Sequence, residues 1–591
     1  MSSDDSAAPN ISTGSLGLAW LGGLLLCVYG LLDGVAEWSF SFSLAAFLWL
    51  AIVPIWWGWP SRRRVFPSEN APPAPLARKL MTATMLAGVS LSVSVWTARL
   101  IGDWPPAYHD EYSYLYQAKT FLAGRTWFPS HPTHPELFDQ MHVLNDEGRM
   151  ASRYFPGTGL WMAPFVAVGL PYFGHWLCGM LATVFIYAAG CELRNQRTGI
   201  IAGLLTGLSP GLALFGNLLL AHHPTLLGLS FFLWMMIRFH RRPSWIVAGG
   251  AALGLTGAML CRPMTAAGFG LSFGIWTGWW LLRSTAPAAM RWTVFAAFAF
   301  PIGCGMAMQL GYNTSITGSF ATSPYQLYTD IYTPRHVYGF NNGTRGEQRG
   351  GPKVIAAYDQ WAENLTPELA AQNVFVRIIC SCQWIWDLLP LGMIALIAAL
   401  NFRRMESPLQ LTMAGIISLH AVHIPYWYAG IMGWHYVFET LILWTLLSGG
   451  IIDRLLSQWR NMARPFRAVW LSGLIALTMA ANLVTLPGIW TSKLQRGAAT
   501  IRFSREKHGL FQRWVAQETA GRPALVLVGP HRDEGHVEYV NNDPGLTGRL
   551  LVGRSIPGQT DLDQIARDFP NRDVYVCDPD RHQLRIIKPA E

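Results

Sequence analysis

Two adjacent carboxylates, Asp110 and Glu111, stand in the stretch Tyr108-His109-Asp110-Glu111-Tyr112-Ser113-Tyr114, just after a long apolar run. Such a pair can take a proton from an acceptor hydroxyl, hold a divalent ion, or cap a following helix. Neighbouring carboxylates raise each other's pKa, which suits general-base work, and His109 adjoins them. The capping alternative makes Asp110 the N-cap of a helix over 112–122.

Other residues could share that chemistry. Histidines recur in the polar segments, including His131, His134, His142 and the pair His222-His223 before Pro224. The spacing His131-Pro-Thr-His134 is ligand-like, but it lies in a Pro-rich stretch. Hydrogen bonding to a sugar or phosphate suits the 222/223 pair better than metal binding. Arg99, Arg262, Asp387 and Glu439 fall in or beside apolar runs. A charge in lipid costs a few kcal/mol, so each is expected to face a polar cavity or to pair internally, for example Arg99 with Asp387. Arg262, before Pro263, is the best anion ligand, because a guanidinium grips phosphate bidentately. His435 and Glu439 are spaced i and i+4, which on one helix would share a face. Between 322 and 353, Tyr325, Tyr328, Tyr332 and Tyr338 interleave with Arg335, His336, Arg345, Arg349 and Lys353, as a cover over a polar cavity or a segment lying on head groups.

A frame must hold these groups. The chain has 591 residues, 51% apolar and 13% charged. A soluble domain has roughly 25% charged residues, so the deficit and the repeated apolar runs point to an all-α polytopic membrane protein. The runs predict thirteen spans: 16–32, 42–59, 80–101, 173–191, 199–216, 219–237, 245–260, 264–282, 292–311, 383–400, 409–426, 431–452 and 469–486. The segment 159–170, holding Pro164 and ending before Pro171, is too short to cross and reads as juxtamembrane or re-entrant.

Basic residues cluster in alternate short loops, including Arg62–Arg64, Arg194, Arg197, Arg241, Arg403 and Arg454, while the opposite short loops carry only Arg262. That asymmetry puts the N-terminus in the cytoplasm and the C-terminus outside. It also explains a net charge of +9 as topology rather than nucleic-acid binding. Met1–Ser15 carries Asp4 and Asp5 and no basic residue, unlike a signal peptide. The eight cysteines lie mostly in apolar runs and are expected to be free thiols.

Three parts follow. Residues 1–79 are a two-helix hairpin and a Pro- and Arg-rich cytoplasmic linker. Residues 80–486 are the transmembrane unit, with outer loops 102–172 and 312–382. Residues 487–591 form a small outer-face α/β domain, with strand-like runs at 524–528, 550–552, 574–576 and 584–587 and one helix over 561–568.

In order along the chain, several motifs resemble the GT-C type of integral-membrane glycosyltransferases, especially the protein O-mannosyltransferase-like enzymes and the aminoarabinose lipid A transferases. They are His109-Asp110-Glu111-Tyr112 with Tyr116-Gln117-Ala118; Arg153-Tyr154-Phe155-Pro156-Gly157; Leu208-Ser209-Pro210; His222-His223-Pro224-Thr225; Cys261-Arg262-Pro263; and His435-Tyr436. The likeness covers roughly 80–450. It implies transfer of a sugar from a polyprenyl-phosphate carrier to an acceptor at the outer face. Asp110 would activate the acceptor, with Glu111 in support. Arg153, Tyr154, His222, His223, Arg262, His435 and Glu439 would bind substrate, Arg262 at the carrier phosphate. The chain departs from the family in having histidine where many members carry Arg before Tyr436, and a His pair where many carry an acidic residue. Metal use varies in the family, so a divalent ion is compatible but no cofactor is assigned. The acceptor, whether glycan, lipid or protein, stays unassigned. Two other readings are a transporter or flippase of a lipid-linked intermediate, which the lack of an internal repeat disfavours, and a non-catalytic assembly protein docking through its tail.

Overall fold

The computed structural model describes residues 11–32, 75–344, 365–428, 430–460, 466–488, 490–531, 537–556 and 558–590. The expected span 42–59, residues 60–74 of the loop 60–79 and residues 345–353 lie outside them.

Nineteen α-helices are assigned among the described residues. The first two are α1 (Thr13–Leu32) and α2 (Leu76–Ile101). Then come α3 (His109–Leu122), α4 (Pro156–Ala167), α5 (Pro171–Leu193), α6 (Gln196–Gly207) and α7 (Pro210–Phe215). They are followed by α8 (His222–Arg241), α9 (Trp245–Cys261), α10 (Pro263–Arg283) and α11 (Ala288–Thr317). After α12 (Pro324–Tyr332) come α13 (Pro367–Ile385), α14 (Leu388–Leu400), α15 (Ser407–Val422) and α16 (Thr440–Arg460). The last are α17 (Phe466–Leu483), α18 (Lys493–Glu518) and α19 (Leu562–Asp568). Proline in the first turn marks many starts, including α4, α5, α7 and α10, where its missing N–H costs nothing.

Four helices are long and apolar enough to cross a membrane: α2, α5, α11 and the Thr440–Gln458 part of α16. The bent pair α13–α14, kinked by 111°, makes a fifth if counted as one span. Thirteen spans are therefore not reproduced by length and composition among the described residues. The reason is visible in the breaks. The run 199–216 is divided at Ser209-Pro210 into α6 and α7, and 383–400 yields α14 of 13 residues, about 20 Å against a hydrocarbon core of ~30 Å. Helix α4, with 12 residues, is also far too short to cross.

The largest core cluster runs through α5, α6, α8, α10, α14 and α16, with α16 at its centre: 94% of its apolar window is buried. Helices α8 and α9 meet at facing glycines, where a Cβ on Gly228 would lie 2.5 Å from the Gly254 carbonyl oxygen. At the end of α5 away from the acidic motif, Asp453 is fully buried and pairs with Arg194 (3.1 Å) and Arg197, and Glu406 pairs with Arg194 (2.7 Å) and Arg454. Asp387 caps α14, accepting the Leu388 N–H at 2.7 Å, and pairs with Lys493 at 2.9 Å. This replaces the expected Arg99 partner; Arg99 is exposed in the last turn of α2.

Between α3 and α4 the chain forms a three-stranded sheet, with β1 (Phe128–Pro129) and β2 (Val143–Asp146) both antiparallel to β3 (Arg149–Ser152). The C-terminal region carries β4 (Ala524–Val528), β5 (Leu550–Arg554), β6 (Asp573–Asp578) and β7 (Gln583–Lys588) in the order β5-β4-β6-β7. The first three are parallel and β7 is antiparallel to β6. One core joins the two sheets: Leu137, Phe138, Val143 and Met150 pack with Leu525, Leu551, Phe569 and Val574.

Candidate functional site

Helix α3 places the two carboxylates in different surroundings. Its N-cap is Tyr108, not Asp110, and it starts at His109 rather than at 112. Glu111 takes the capping-box position: its Oε1 accepts the N–H groups of Tyr108 (3.1 Å) and Ala107 (2.8 Å). Oε2 accepts the Leu219 N–H at 2.8 Å and lies 3.6 Å from Arg505 Nη2. Glu111 is fully buried. Three amide donors and a guanidinium hold this carboxylate as an anchor between α3, the turn before α8, and α18. Glu111, expected in support of Asp110, is thus engaged by backbone donors and Arg505 rather than turned toward the acceptor side.

Asp110 is the accessible member, with its side chain 23% exposed. The Tyr154 hydroxyl donates to Oδ1, while Oδ2 lies 3.7 Å from His109 Nε2 and 3.9 Å from His142 Nε2. Burial pushes the Asp110 carboxyl up, but His109, the Tyr154 hydroxyl, His435 and Arg153 outweigh it and hold the carboxyl below its ordinary value. Tyr154 is fixed by stacking on Tyr114, with ring centroids 4.3 Å apart. His142 is set by a left-handed backbone (φ 58°); its carbonyl accepts the Ser113 hydroxyl at 2.7 Å. Arg153 is buried between Tyr325 (3.9 Å to the ring centroid) and Tyr328 (4.5 Å), and donates to His142 Nδ1 at 3.2 Å. In this way α12 holds the acidic site from above.

His109, Asp110 and His142 each offer one ligand atom, all within 4.8 Å of one another. Two imidazoles and a carboxylate suit zinc and similar borderline ions better than magnesium, which favours oxygen ligands.

A second cluster forms where α8, the α9–α10 junction and the start of α16 converge. Arg262 is the residue between α9 and α10. Its Nη1 reaches Glu439 Oε1 (3.3 Å), the His435 carbonyl (3.1 Å) and the His222 ring. His222 Nδ1 is 3.1 Å from Glu439 Oε1, and Nε2 is 3.3 Å from His435 Nδ1. Arg262 also lies over the Tyr436 ring, 5.8 Å from its centroid. All its hydrogen bonds among the described residues go through Nη1, which leaves Nε and Nη2 for a ligand. His435 is one of the groups that lower the Asp110 pKa, so the two clusters are electrostatic neighbours.

The structure thus gathers His222, Arg262, His435 and Glu439, and separately Asp110, Arg153 and Tyr154. His223 points elsewhere: its ring packs 5.6 Å from that of Phe438 and 6.0 Å from that of His175. His435 and Glu439 do not share one α-helix. His435 lies in a 3-10 turn and α16 starts at Thr440, because Gly430, Met432 and Gly433 all take positive φ just before. His131 and His134 dock the C-terminal region: His134 Nε2 is 2.7 Å from Asp568, and the His131 ring stacks on Phe569. Cys178, Cys191, Cys261, Cys304, Cys380, Cys382 and Cys577 are free thiols.

Arg505 and the helix bearing it had no counterpart among the expected elements. Its signal was present. Leu494, Ala498, Ile501, Arg505, His508 and Val515 recur at helical spacing and are buried in α18. The number of charges in that stretch hid the pattern.

No protein-family model and no curated protein matches the chain. Among solved structures, the chain is similar to ArnT from Cupriavidus metallidurans in the apo state, at 12% identity and TM-score 0.49, covering 85% of this chain and 93% of that one. The same enzyme bound to undecaprenyl phosphate gives a TM-score of 0.47 at 12% identity, covering 85% and 92%. The Archaeoglobus fulgidus oligosaccharyltransferase in the apo form gives 0.44 at 13% identity, covering 82% of this chain and 62% of that one. The arabinosyltransferase EmbB from Mycobacterium smegmatis gives 0.38 at 13% identity, covering 80% and 41%.

Proposed function

We propose that the chain is a multi-pass membrane glycosyltransferase that moves a sugar from a polyprenyl-phosphate carrier to an acceptor at the outer face, with its N-terminus cytoplasmic and its C-terminus outside. The observations that carry this reading are an accessible Asp110 whose carboxyl is held below its ordinary value, and an Arg262 whose hydrogen bonds among the described residues all go through Nη1. In the reaction the acceptor oxygen forms a bond to the anomeric carbon, and its proton passes to Asp110. The bond from that carbon to the carrier phosphate breaks, and its electron pair leaves on the phosphate, held by Arg262. Phosphate is a good leaving group, so positioning and charge stabilisation supply most of the barrier lowering. Glu111 positions α3. Glu439 and His222 orient Arg262 through Nη1. A divalent ion on His109, Asp110 and His142 would add positive charge beside the acceptor oxygen.

Purified full-length protein and its Asp110→Asn variant test the reading with a polyprenyl-phosphate sugar as donor. Loss of a general base lowers turnover by about 10²–10⁴-fold. Turnover unchanged in Asp110→Asn removes that residue from the role. Absence of wild-type turnover with every lipid-linked sugar tried favours transport of such a lipid instead.

A further inference from the structure

Gln117 belongs to α3, but its side chain serves the segment that follows β3. With Asp110 and Ser113 it is spaced i, i+3, i+7, so the three share one face of the helix. It is only 2% exposed, so bulk water does not compete for its amide. Its Nε2 donates to the Tyr154 carbonyl at 2.9 Å and to the Tyr312 hydroxyl at 2.8 Å. Tyr312, on the last turns of α11, donates in turn to the same Tyr154 carbonyl at 3.3 Å. Gln117 Oε1 accepts the Gly159 N–H of α4 at 3.1 Å, and a Cβ on Gly159 would lie 2.5 Å from that oxygen. Both amide protons and the amide oxygen are thereby committed.

The other side of Tyr154 is held from the same face of α3. Its N–H donates to Ser152 Oγ at 3.3 Å, and the Ser152 and Ser113 hydroxyls lie 2.8 Å apart. The Ser113 hydroxyl donates to the His142 carbonyl, so Ser152 is the donor between the two serines. Tyr154 is thus gripped at both backbone polar groups by α3 or by a side chain that α3 holds, and its phenol returns to Asp110 of that helix. Gln117 stands seven residues beyond Asp110, about 10 Å along the helix, and acts on it only through Tyr154. A side chain that merely joined α3 to α4 could end on any backbone group. This one ends on the carbonyl of the residue whose hydroxyl engages the Asp110 carboxylate.

We propose that Gln117 is a positioning residue of the transfer site, keeping the Tyr154 phenol on Asp110 Oδ1 by fixing the Tyr154 backbone, an inference that rests on the transfer reading above. Gln117→Met keeps the bulk and removes the amide. With a polyprenyl-phosphate sugar as donor, its kcat should fall by about 10–100-fold, as for a small misplacement of a reacting group, while the donor KM stays unchanged. The double variant Gln117→Met/Tyr154→Phe should be no slower than Tyr154→Phe alone, because both changes break the same contact. A spectroscopic arm needs no turnover. Full-length protein in lipid nanodiscs, with its tyrosines carrying carbon-13 at Cζ, gives a Tyr154 resonance identified by its loss in Tyr154→Phe. That resonance should move in Gln117→Met and, by less, in Tyr312→Phe, which keeps the ring and removes one donor to the Tyr154 carbonyl. If Gln117→Met melts early, Tyr312→Phe carries both arms. A Tyr154 resonance that stays in place, or losses that multiply in the double variant, overturns the proposal. Failure of the transfer reading shows separately, as donor turnover that Asp110→Asn does not change.

Discussion

Replacing Tyr154 by phenylalanine removes one hydroxyl and keeps the ring that stacks on Tyr114. The hydroxyl donates to Asp110 Oδ1 and so stabilises the ionised carboxylate. Burial works against ionisation, and Tyr154 is one of the groups, after His109, that reverse it. A hydrogen bond to a charged group is worth about 1.5–3 kcal/mol. With the Asp110 side chain 23% exposed, water replaces part of that bond, so the lower end applies. A bond of ~1.5 kcal/mol favours the ionised form by about tenfold, so its loss moves the Asp110 carboxyl upward. The sign follows directly. Wild-type Asp110 is a competent base above its depressed pKa and loses that competence as pH falls through it. In Tyr154→Phe the loss comes earlier on acidification, at a higher pH than in wild type. The stability contributed by the same depressed carboxyl is likewise present above its unfolded pKa and fades as pH falls through the folded one. Donor turnover against pH, from neutrality into the acid range, checks the shift in both proteins. An acid limb that coincides in the two, or that moves to lower pH in Tyr154→Phe, refutes the claim that this hydroxyl holds Asp110 ionised.

Arg505→Met removes the cation beside Glu111, the donor to the Asn217 carbonyl and a guanidinium 4.8 Å from the Tyr172 ring centroid. Glu111 keeps its three amide donors, so the cost should fall below that of fully orphaning a buried charge, at about 2–4 kcal/mol; an unchanged melting temperature in micelles would contradict the anchoring role. Gly228→Ala or Gly254→Ala should each destabilise by about 1–3 kcal/mol, since the new Cβ meets backbone atoms of the opposite helix, whereas Gly257→Ala, with nothing within 4 Å, should leave thermal stability unchanged.

Local pattern carried much of the architecture into view before any tertiary contact was considered. Apolar runs marked where α2, α5 and α11 lie, and β-type runs marked β4 and β6, because period and hydropathy are properties of short windows. Span counting fared worse. Breaks such as Ser209-Pro210 and the 111° bend between α13 and α14 interrupt runs that hydropathy alone joins.

The sequence by itself determined that Asp110 and Glu111 stand just beyond an apolar segment, and that Arg262 stands alone among basic residues in its set of short loops. Only the tertiary structure separated the pair. Successive helical residues point about 100° apart, so one carboxylate turns toward Tyr154 and His142 while the other turns toward the Leu219 amide and Arg505. Those partners come from segments 32 to 394 residues away, and no local pattern specifies which of them the packed helices will bring to each oxygen.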